Sequence, residues 1–356
     1  MIHQSAGVAD LPPVPAGKTG WPWDNDPGPA SPVRPDGLPW PRITVVTPSF
    51  NQARYLEEAI RSVLLQRYPA LDYIVMDGGS TDHSRAVLMK YERWLTFWRS
   101  RPDSGQSQAL NQGMSRGRGG ICGWLNADDL YLPGALRTVG AAWVPECTHW
   151  LAGAVRKGKG RYTECGAVRH PGRVFSLEEL LRAVVLRKPT FVQPEVFLSR
   201  DAWNTVGGLH ESLHYALDQH LWVKLSAAGY TPRVLNQCLA FFRVHGAQKT
   251  RRSVRGRVRG VRERYWAVHD VLARIEKTEK LPTGCHRLQR RLLGLTALNL
   301  ARRNGWPDPK TVVRGIISDG VVTLFDMMTV CHSPGGGHEG IPCAFKGAGR
   351  VAGADS

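Results

Sequence analysis

Two adjacent acids, Asp128 and Asp129, stand at the end of an apolar run in the stretch WLNADDLYLPG. Neighbouring carboxylates repel each other, so a chain needs a reason to keep them together. One reason is a capping role, because Asp accepts hydrogen bonds from backbone N–H groups at turns and helix starts. The other is a divalent cation held beside a phosphate-bearing substrate, since such ions prefer carboxylate oxygens. On this stretch alone both interpretations stay open.

Polar residues also follow two other apolar runs and open one predicted helix. ITVVTPSF (43–50) leads into Asn51, and DYIVMD (72–77) leads into a GGSTD turn. A DSGQ turn (103–106) precedes a helix predicted at about 106–116. Ligands of open parallel sheets lie beyond the carboxyl ends of the strands. Four polar segments at one such edge therefore predict a binding pocket rather than four separate caps.

Short β-branched runs alternate with helix-spaced apolar residues from about residue 42 to residue 145. After the first run, Leu56, Ile60 and Val63 recur three or four residues apart, with charged residues between them. Strands that alternate with helices predict an α/β fold with a parallel sheet and helices on both faces. Beyond residue 145 the alternation lapses, and HWLAGAVRKG with RYTECGAVR predicts an antiparallel pair.

Composition divides the chain into four segments. The first is rich in Pro and Gly and has no helical or strand period, which predicts a largely unfolded arm that Trp21, Trp23 and Trp40 could dock locally. The third is helical and basic. The predicted segments are an extended arm at 1–41, an α/β domain at 42–250, a basic helical extension at 251–330 and a flexible tail at 331–356.

The formal charge of +17 over 356 residues predicts an anionic partner, which could be nucleic acid, an anionic membrane surface or a phosphorylated substrate. The seven Cys form no CxxC pair, so neither a zinc site nor a disulfide framework is indicated, and scattered thiols are typical of a reducing cytoplasm. The N-terminus lacks a secretory signal, and no run of 18 apolar residues predicts a membrane span. We therefore predict a cytoplasmic protein.

Two common phosphate-binding motifs are missing from the sequence. It contains no GxxxxGK[ST] loop, and no GxGxxG follows the first predicted strand. The remaining possibility is a sheet edge that holds a nucleotide with acids. Asp can accept hydrogen bonds from a base N–H or a ribose hydroxyl, and the Asp-Asp pair can ligate Mg²⁺ or Mn²⁺ that bridges a diphosphate.

Seven motifs occur in the order and spacing of one enzyme family: TPSFNQ, DGGSTD, PDSGQSQALNQG, LNADD, QPEVF, ALDQHLW and FRVHGAQKT. Over about residues 42–250 the sequence resembles family 2 glycosyltransferases, and most of all bacterial enzymes that build cell-surface polysaccharides. The resemblance implies the Rossmann-like GT-A fold with a mixed, mainly parallel sheet. It also implies inverting, hexosyltransferase-type transfer from a nucleotide-diphosphate sugar to a saccharide or lipid-linked acceptor, with Mg²⁺ or Mn²⁺ as cofactor.

The same resemblance implies roles for individual residues. Asp218, in ALDQHLW, falls where the family keeps its catalytic base, although an Asp at a helix start is also a common cap. Relatives carry a second Asp where this chain has Gly78, and another where it has His220. The implied nucleotide-sugar ligands are Thr47, Pro48, Asn51, Asp77, Ser80, Asp103, Gln106, Asn111, Asp128 and Lys249. The implied metal ligands are Asp128, Asp129 and His245.

The segment 251–291 is strongly basic, with 13 Lys and Arg against 4 Asp and Glu. In SVRGRVRGVRERYWAVHDVLARI the apolar residues recur at helical spacing, which predicts an amphipathic helix with a basic face. Either the helix packs on the domain, or it contacts anionic lipid at the inner face of the plasma membrane.

Two other functions are possible for a basic chain of this composition. A basic nucleic-acid-binding protein is disfavoured because the arginines are not interleaved with a stacking platform, so we expect no nucleic-acid partner. A catalytically inactive carbohydrate-binding scaffold is disfavoured by the intact acids at 77, 128, 129 and 218.

Overall fold

The computed structural model describes residues 6–29, 31–159, 167–168, 176–186, 190–249 and 254–278. The predicted tail at 331–356 and most of the predicted extension lie outside these residues. The strands are β1 (Ile43–Ser49), β2 (Leu71–Asp77), β3 (Phe97–Ser100), β4 (Ile121–Trp124), β5 (Leu130–Tyr131), β6 (Trp150–Gly158), β7 (Ala167–Val168), β8 (Val196–Ser199) and β9 (Arg233–Arg243). The helices are α1 (Ala53–Leu64), α2 (Ser84–Tyr91), α3 (Gln106–Met114), α4 (Ala135–Ala142), α5 (Leu177–Leu186), α6 (Arg200–Thr205), α7 (Leu217–Ala227) and α8 (Val254–Thr278).

The strands form one mixed sheet in the order β3-β2-β1-β4-β8-β6-β9-β5, with β7 paired to β6. The first four are parallel, whereas β8 runs antiparallel to both β4 and β6. The predicted α/β fold is confirmed, and so is the antiparallel pair formed by β6 and β7. Because Ser49 pairs with Asp77 and Val46 with Trp124, the carboxyl ends of β1, β2 and β4 meet at one edge.

Helices cover both faces of the parallel half of the sheet. Every residue of β1 is buried, as expected for a strand with helices on either side. On one side Leu56 and Ile60 of α1 join the core. On the other side α3 approaches closely, since a Cβ on its Gly113 would lie 2.5 Å from Val46. Helix α3 is thereby held closely against β1.

The N-terminal arm is ordered by side chains rather than by regular structure. Trp21 and Trp23 are only 6% and 4% exposed. The buried guanidinium of Arg61 in α1 donates hydrogen bonds to the carbonyl oxygens of Pro12, Pro22 and Trp23 at 2.9 to 3.0 Å. The prediction of a largely unfolded arm is therefore wrong for residues 6–29. All three tryptophans predicted to dock the arm do so, since Trp40 also packs against the core, with its ring 5.4 Å from that of Tyr68. A sequence period cannot reveal such packing, because each anchor is a single side chain.

Replacing Arg61 by Met should destabilise the protein by about 3 kcal/mol, because three backbone acceptors of the arm lose their buried donor. We expect a lower denaturation midpoint and faster proteolysis within residues 6–29. Arg54→Met, an exposed change on the same helix, should stay within about 0.5 kcal/mol of the parent. Equal stabilities for the two variants would show that Arg61 does not hold the arm.

Helix α8 packs on the domain through its apolar face. Tyr265, Val268, Val271 and Leu272 are buried, and the helix lies against α5 and α7. The packed alternative of the sequence prediction is therefore confirmed for this helix. Contact with anionic lipid stays a prediction, since the side chains of 254–258 lie outside the described residues. Among the helices that the structure describes, none combines the length and apolarity that a membrane crossing requires.

Candidate active site

The turns after β1 and β2 are tied together by side-chain hydrogen bonds. Asn51, in a left-handed conformation (φ 53°), donates its backbone N–H to Ser80 Oγ at 2.7 Å. Its Oδ1 accepts the backbone N–H of Thr81 at 2.9 Å. Ser80 in turn donates both its N–H and its hydroxyl to the carboxylate of Asp77. Pro48, Asn51, Asp77 and Ser80 are thus brought to one corner of the sheet edge, as predicted.

Two predicted nucleotide ligands in this corner are completely buried. The Oγ1 of Thr47 lies 3.1 Å from the hydroxyl of Tyr73, and Asp77 also accepts a hydrogen bond from Ser100 Oγ at 2.7 Å. Contact of these two side chains with the nucleotide stays a prediction. Both hold the strand ends in place, because a buried polar group needs its partners within the protein.

Asp103 stands beside Gly78, where relatives carry a second acid. A Cβ on Gly78 would lie 3.1 Å from Oδ2 of Asp103, so the carboxylate fills the space that a side chain at 78 would need. Oδ1 accepts the backbone N–H of Gly105 at 2.9 Å. Burial, reinforced by the charge of Asp77, raises the pKa of Asp103. A carboxylate from the turn before α3 therefore lies beside position 78, although the residue there is Gly.

The two predicted ligands on α3 face different partners. Gln106 donates through Nε2 to Oδ1 of Asn126 at 2.8 Å and so reaches the turn that carries the two acids. Asn111 forms two hydrogen bonds with the backbone of Leu209, at 2.9 and 3.0 Å. The amide of Asn111 ties α3 to the segment that leads into α7, and its contact with the nucleotide stays a prediction.

The adjacent acids after β4 point in different directions. Asp128 Oδ2 lies 2.9 Å from Nε2 of His245, and both side chains are partly exposed. Asp129 is only 1% exposed, and its oxygens accept hydrogen bonds from the backbone N–H of Arg243 and from Nδ2 of Asn126. Burial, together with the charge of Asp128, raises the pKa of Asp129 well above its usual range. In this structure the carboxylate of Asp129 is turned inward to protein donors, and metal ligation by Asp129 stays a prediction.

Asp128 and His245 fit a divalent cation. Two neighbouring ligands of an octahedral ion bound at 2.0 to 2.1 Å are about 3.0 Å apart, close to the observed 2.9 Å. The buried Nδ1 of His245 has no hydrogen-bond partner among the described residues. Within the described part of the chain no group of three acidic, His or Cys side chains is placed to hold a metal. A cation here would therefore need oxygen ligands from a substrate.

Arg243 is a site residue that the sequence reading missed, although it lies within the FRVHGAQKT motif. Its guanidinium donates to the backbone oxygen of Asp128 at 2.9 Å and to Oε2 of Glu58 at 2.5 Å. Burial alone would raise the pKa of Glu58, but the charges of Arg243 and Lys18 lower it. The ring of Tyr55 lies between Arg243 and His245, with centroid distances of 5.1 and 4.5 Å. Glu58 on α1 thereby fixes the turn that carries Asp128.

Asp218 lies in the first turn of α7. The N-cap is Ala216, and no side chain caps the helix, so interpreting Asp218 as an N-cap is wrong. Its Oδ1 accepts the N–H of Gln219 at 2.8 Å. Burial raises the pKa of Asp218, against the opposing effects of the Gln219 N–H and the charge of Arg264. The side chain is thus a carboxylate with increased basicity.

Stacked indoles fix α7 against the sheet. Trp222 of α7 stacks with Trp124 of β4 at 5.9 Å and with Trp150 of β6 at 5.7 Å. Trp124 ends the strand that leads to Asp128, so the helix of Asp218 and the turn of Asp128 rest on one aromatic stack. Lys249 lies near the start of α7, with Nζ 5.4 Å from the ring centroid of Tyr215.

Comparison with known proteins identifies the domain. Residues 44–200 match the family model described as Glycosyl transferase family 2. These residues are a family 2 glycosyltransferase domain. A glycosyltransferase of Mycobacterium tuberculosis is 37% identical over 92 residues, which are 26% of this chain and 35% of that protein. TuaG of Bacillus subtilis, named for teichuronic acid biosynthesis, is 24% identical over 208 residues, which are 57% of this chain and 79% of TuaG.

Solved structures share the fold of this family 2 domain. TarS of S. aureus, crystallised with UDP-GlcNAc, has a TM-score of 0.50 at 16% identity, over 71% of this chain and 80% of that one. A mannosyltransferase of Pyrobaculum calidifontis, in complex with GDP-Man and Mn²⁺, has a TM-score of 0.50 at 19% identity, over 88% of this chain and 83% of that one. The chain spans about a third of the length of the mycobacterial relatives. At these identities the two structures establish the GT-A-like fold.

Proposed function

We propose that the protein transfers a glycosyl group from a nucleotide-diphosphate sugar to an acceptor hydroxyl, with inversion at the anomeric carbon and with a divalent cation. The observation that carries the proposal is the pairing of Asp128 with His245 at the carboxyl edge of the parallel strands of a family 2 domain. A carboxylate and an imidazole at this distance suit a cation whose remaining ligands come from a diphosphate.

In the proposed reaction Asp218 is the general base. It accepts the proton of the acceptor hydroxyl while that oxygen forms a bond to the anomeric carbon. The bond between this carbon and the diphosphate oxygen breaks, and the nucleoside diphosphate leaves with the electron pair. A single displacement of this kind inverts the anomeric centre. Burial suits Asp218 to the task, because a raised pKa strengthens a carboxylate as a base while it remains ionised near neutral pH.

Other residues of the site bind and orient in this proposal. Asp128 and His245 would hold Mg²⁺ or Mn²⁺, which when bound would stabilise charge on the departing diphosphate. Lys249 adds a positive charge on the side of α7. Asp103, beside Gly78, would accept a hydrogen bond from the base or the ribose. Ser80, Asn51 and Pro48 form the corner against which the nucleoside would lie.

The named relatives support the substrate class and the biological setting. Nucleotide sugars are bound in the two solved structures, as UDP-GlcNAc and as GDP-Man with Mn²⁺. TuaG is named for teichuronic acid biosynthesis. We therefore infer a role in polysaccharide or glycolipid synthesis, with a saccharide or lipid-linked acceptor.

The proposal is tested with a panel of UDP-, GDP-, dTDP- and CDP-sugars, each with Mn²⁺, with Mg²⁺ or with EDTA. We expect one nucleoside diphosphate to raise the melting temperature only when metal is present, and the matching sugar nucleotide to be consumed. With an acceptor, NMR should show the anomeric configuration opposite to that of the donor. If no nucleotide binds and no donor is consumed, the protein is not this enzyme. Retention of configuration would rule out a single displacement.

A further inference from the structure

Glu263 is an acid buried under a basic helix. It lies on α8, beyond residues 44–200 of the family match, and is only 8% exposed. Burial of a carboxylate is costly unless its oxygens receive hydrogen bonds or a counter-charge. The partners of Glu263 therefore indicate what this residue does.

One carboxylate oxygen of Glu263 accepts hydrogen bonds from three consecutive backbone N–H groups. Oε2 accepts from His214 at 2.8 Å, from Tyr215 at 2.5 Å and from Ala216 at 3.2 Å. Oε1 accepts from Nε of Arg259, one turn earlier on α8, at 2.9 Å. Ala216 is the N-cap of α7, where an anion is favoured by the unpaired N–H groups and by the helix dipole. Glu263 thus holds, from another helix, the segment that leads into α7 and the N-cap residue itself.

The segment 213–216 also contacts the donor side of the site. Ser107 of α3 donates its hydroxyl to the carbonyl of Leu213 at 2.8 Å. The ring of His214 packs on Gly105, where an added Cβ would lie 3.1 Å from the ring. Two residues after this segment comes Asp218. The segment therefore connects the turn that carries Asp103 to the start of the helix that carries the proposed base.

We propose that Glu263 is the positioning residue for Asp218, holding the segment 214–216 so that the carboxylate meets the acceptor hydroxyl in the reactive geometry. The inference rests on the proposed function of Asp218. Without Glu263 three N–H groups lose their shared acceptor, and the segment must move to find water or other partners. A displacement of about 1 Å at a reacting group lowers a rate by about 100-fold.

Kinetics of Glu263→Ala and Glu263→Gln test the proposal. At a temperature well below both melting points, we expect kcat of the Ala variant to fall about 100-fold while the KM for the donor stays near its parent value. Glu263→Gln keeps an acceptor oxygen at the same place and should recover a large part of kcat. Arg259→Gln removes only the bond to the other oxygen and should behave as the parent. A role in stability alone would lower the melting temperature without this split between kcat and KM.

The outcomes separate this inference from the proposed function. If the parent protein consumes nucleotide sugar and both Glu263 variants keep its kcat, the positioning role is wrong and the transferase stands. A Gln variant that loses donor binding in proportion to kcat also overturns the positioning role. If the parent consumes no nucleotide sugar, the transferase itself is wrong, and the role of Glu263 fails with it.

Discussion

Asp218→Asn is expected to lower the rate of glycosyl transfer by about 1000-fold, because it removes the group that accepts the proton of the acceptor. The change keeps the shape of the side chain and its hydrogen bond from Gln219, which any oxygen at this position can accept. Binding of the nucleoside diphosphate, measured by calorimetry, should therefore be unaffected. Transfer is followed by release of the diphosphate in the presence of acceptor.

Asp201→Asn is the matched control for this change. Asp201 also lies in the first turn of a helix, α6, but it is exposed. Its variant should transfer at the parent rate. An Asp218→Asn protein that keeps a substantial share of the parent rate would show that another group acts as base.

The same residue should set the acid limb of the pH profile. Asp218 can accept a proton only when ionised, and burial raises its pKa above 3.8. As the pH falls through this raised pKa the carboxylate is protonated and the rate declines, so the midpoint should lie above 3.8. Residual transfer by Asp218→Asn should lack this limb. If the acid limb of the Asp218→Asn variant kept the same midpoint, the titrating group would be a residue other than Asp218.

The sequence predicts where the site lies better than it predicts which side chains reach into it. Parallel strands end at one edge, so the convergence of the turns after β1, β2 and β4 follows from the strand pattern. The direction of each side chain within a turn does not follow from that pattern. Asp128 and Asp129 are neighbours, yet Asp128 points toward His245 and Asp129 points inward to the backbone of Arg243. The side chains of Thr47, Asp77 and Asn111 bond to other parts of the protein in this structure, and their motifs do not predict this, because belonging to a motif does not distinguish a ligand from the residue that holds it.

Hydrogen bonds between side chains and backbone groups far away in sequence are a second feature that the sequence does not predict. The amphipathic pattern of α8 predicts that one face packs, and it does. Nothing in that pattern shows that Glu263 would bond to the segment before α7, because its three donors are backbone N–H groups, which every residue except Pro carries. Arg61 and Arg243 are similar cases. Each donates hydrogen bonds to backbone oxygens far away in sequence, and neither composition nor hydrophobic periodicity predicts such bonds.

Asp128→Ala and His245→Ala should each weaken the binding of Mn²⁺ in the presence of nucleoside diphosphate and lower transfer by about 100- to 1000-fold, the typical loss when one group that stabilises transition-state charge is removed. The two side chains are 2.9 Å apart, so one cation can contact both, and each variant keeps only one protein ligand. Binding is measured by titrating Mn²⁺ while following its free EPR signal. Raising the Mn²⁺ concentration should restore part of the activity, as expected when a ligand rather than a base is lost.

Asp129→Asn separates this interpretation from a general effect of charge beside the diphosphate. Both oxygens of Asp129 accept hydrogen bonds, from the N–H of Arg243 and from Asn126. An amide must turn its NH₂ group toward one of these donors, so we expect a loss of about 1 to 3 kcal/mol in stability with most of the Mn²⁺ affinity kept. If Asp129→Asn lost the cation as fully as Asp128→Ala does, both acids would be ligands and the inward orientation of Asp129 would have to change when substrate binds. If only the Asp128 and His245 variants lost affinity for Mn²⁺, the protein ligands of the metal would be one carboxylate and one imidazole. The fold brings these two together from the segments after β4 and β9.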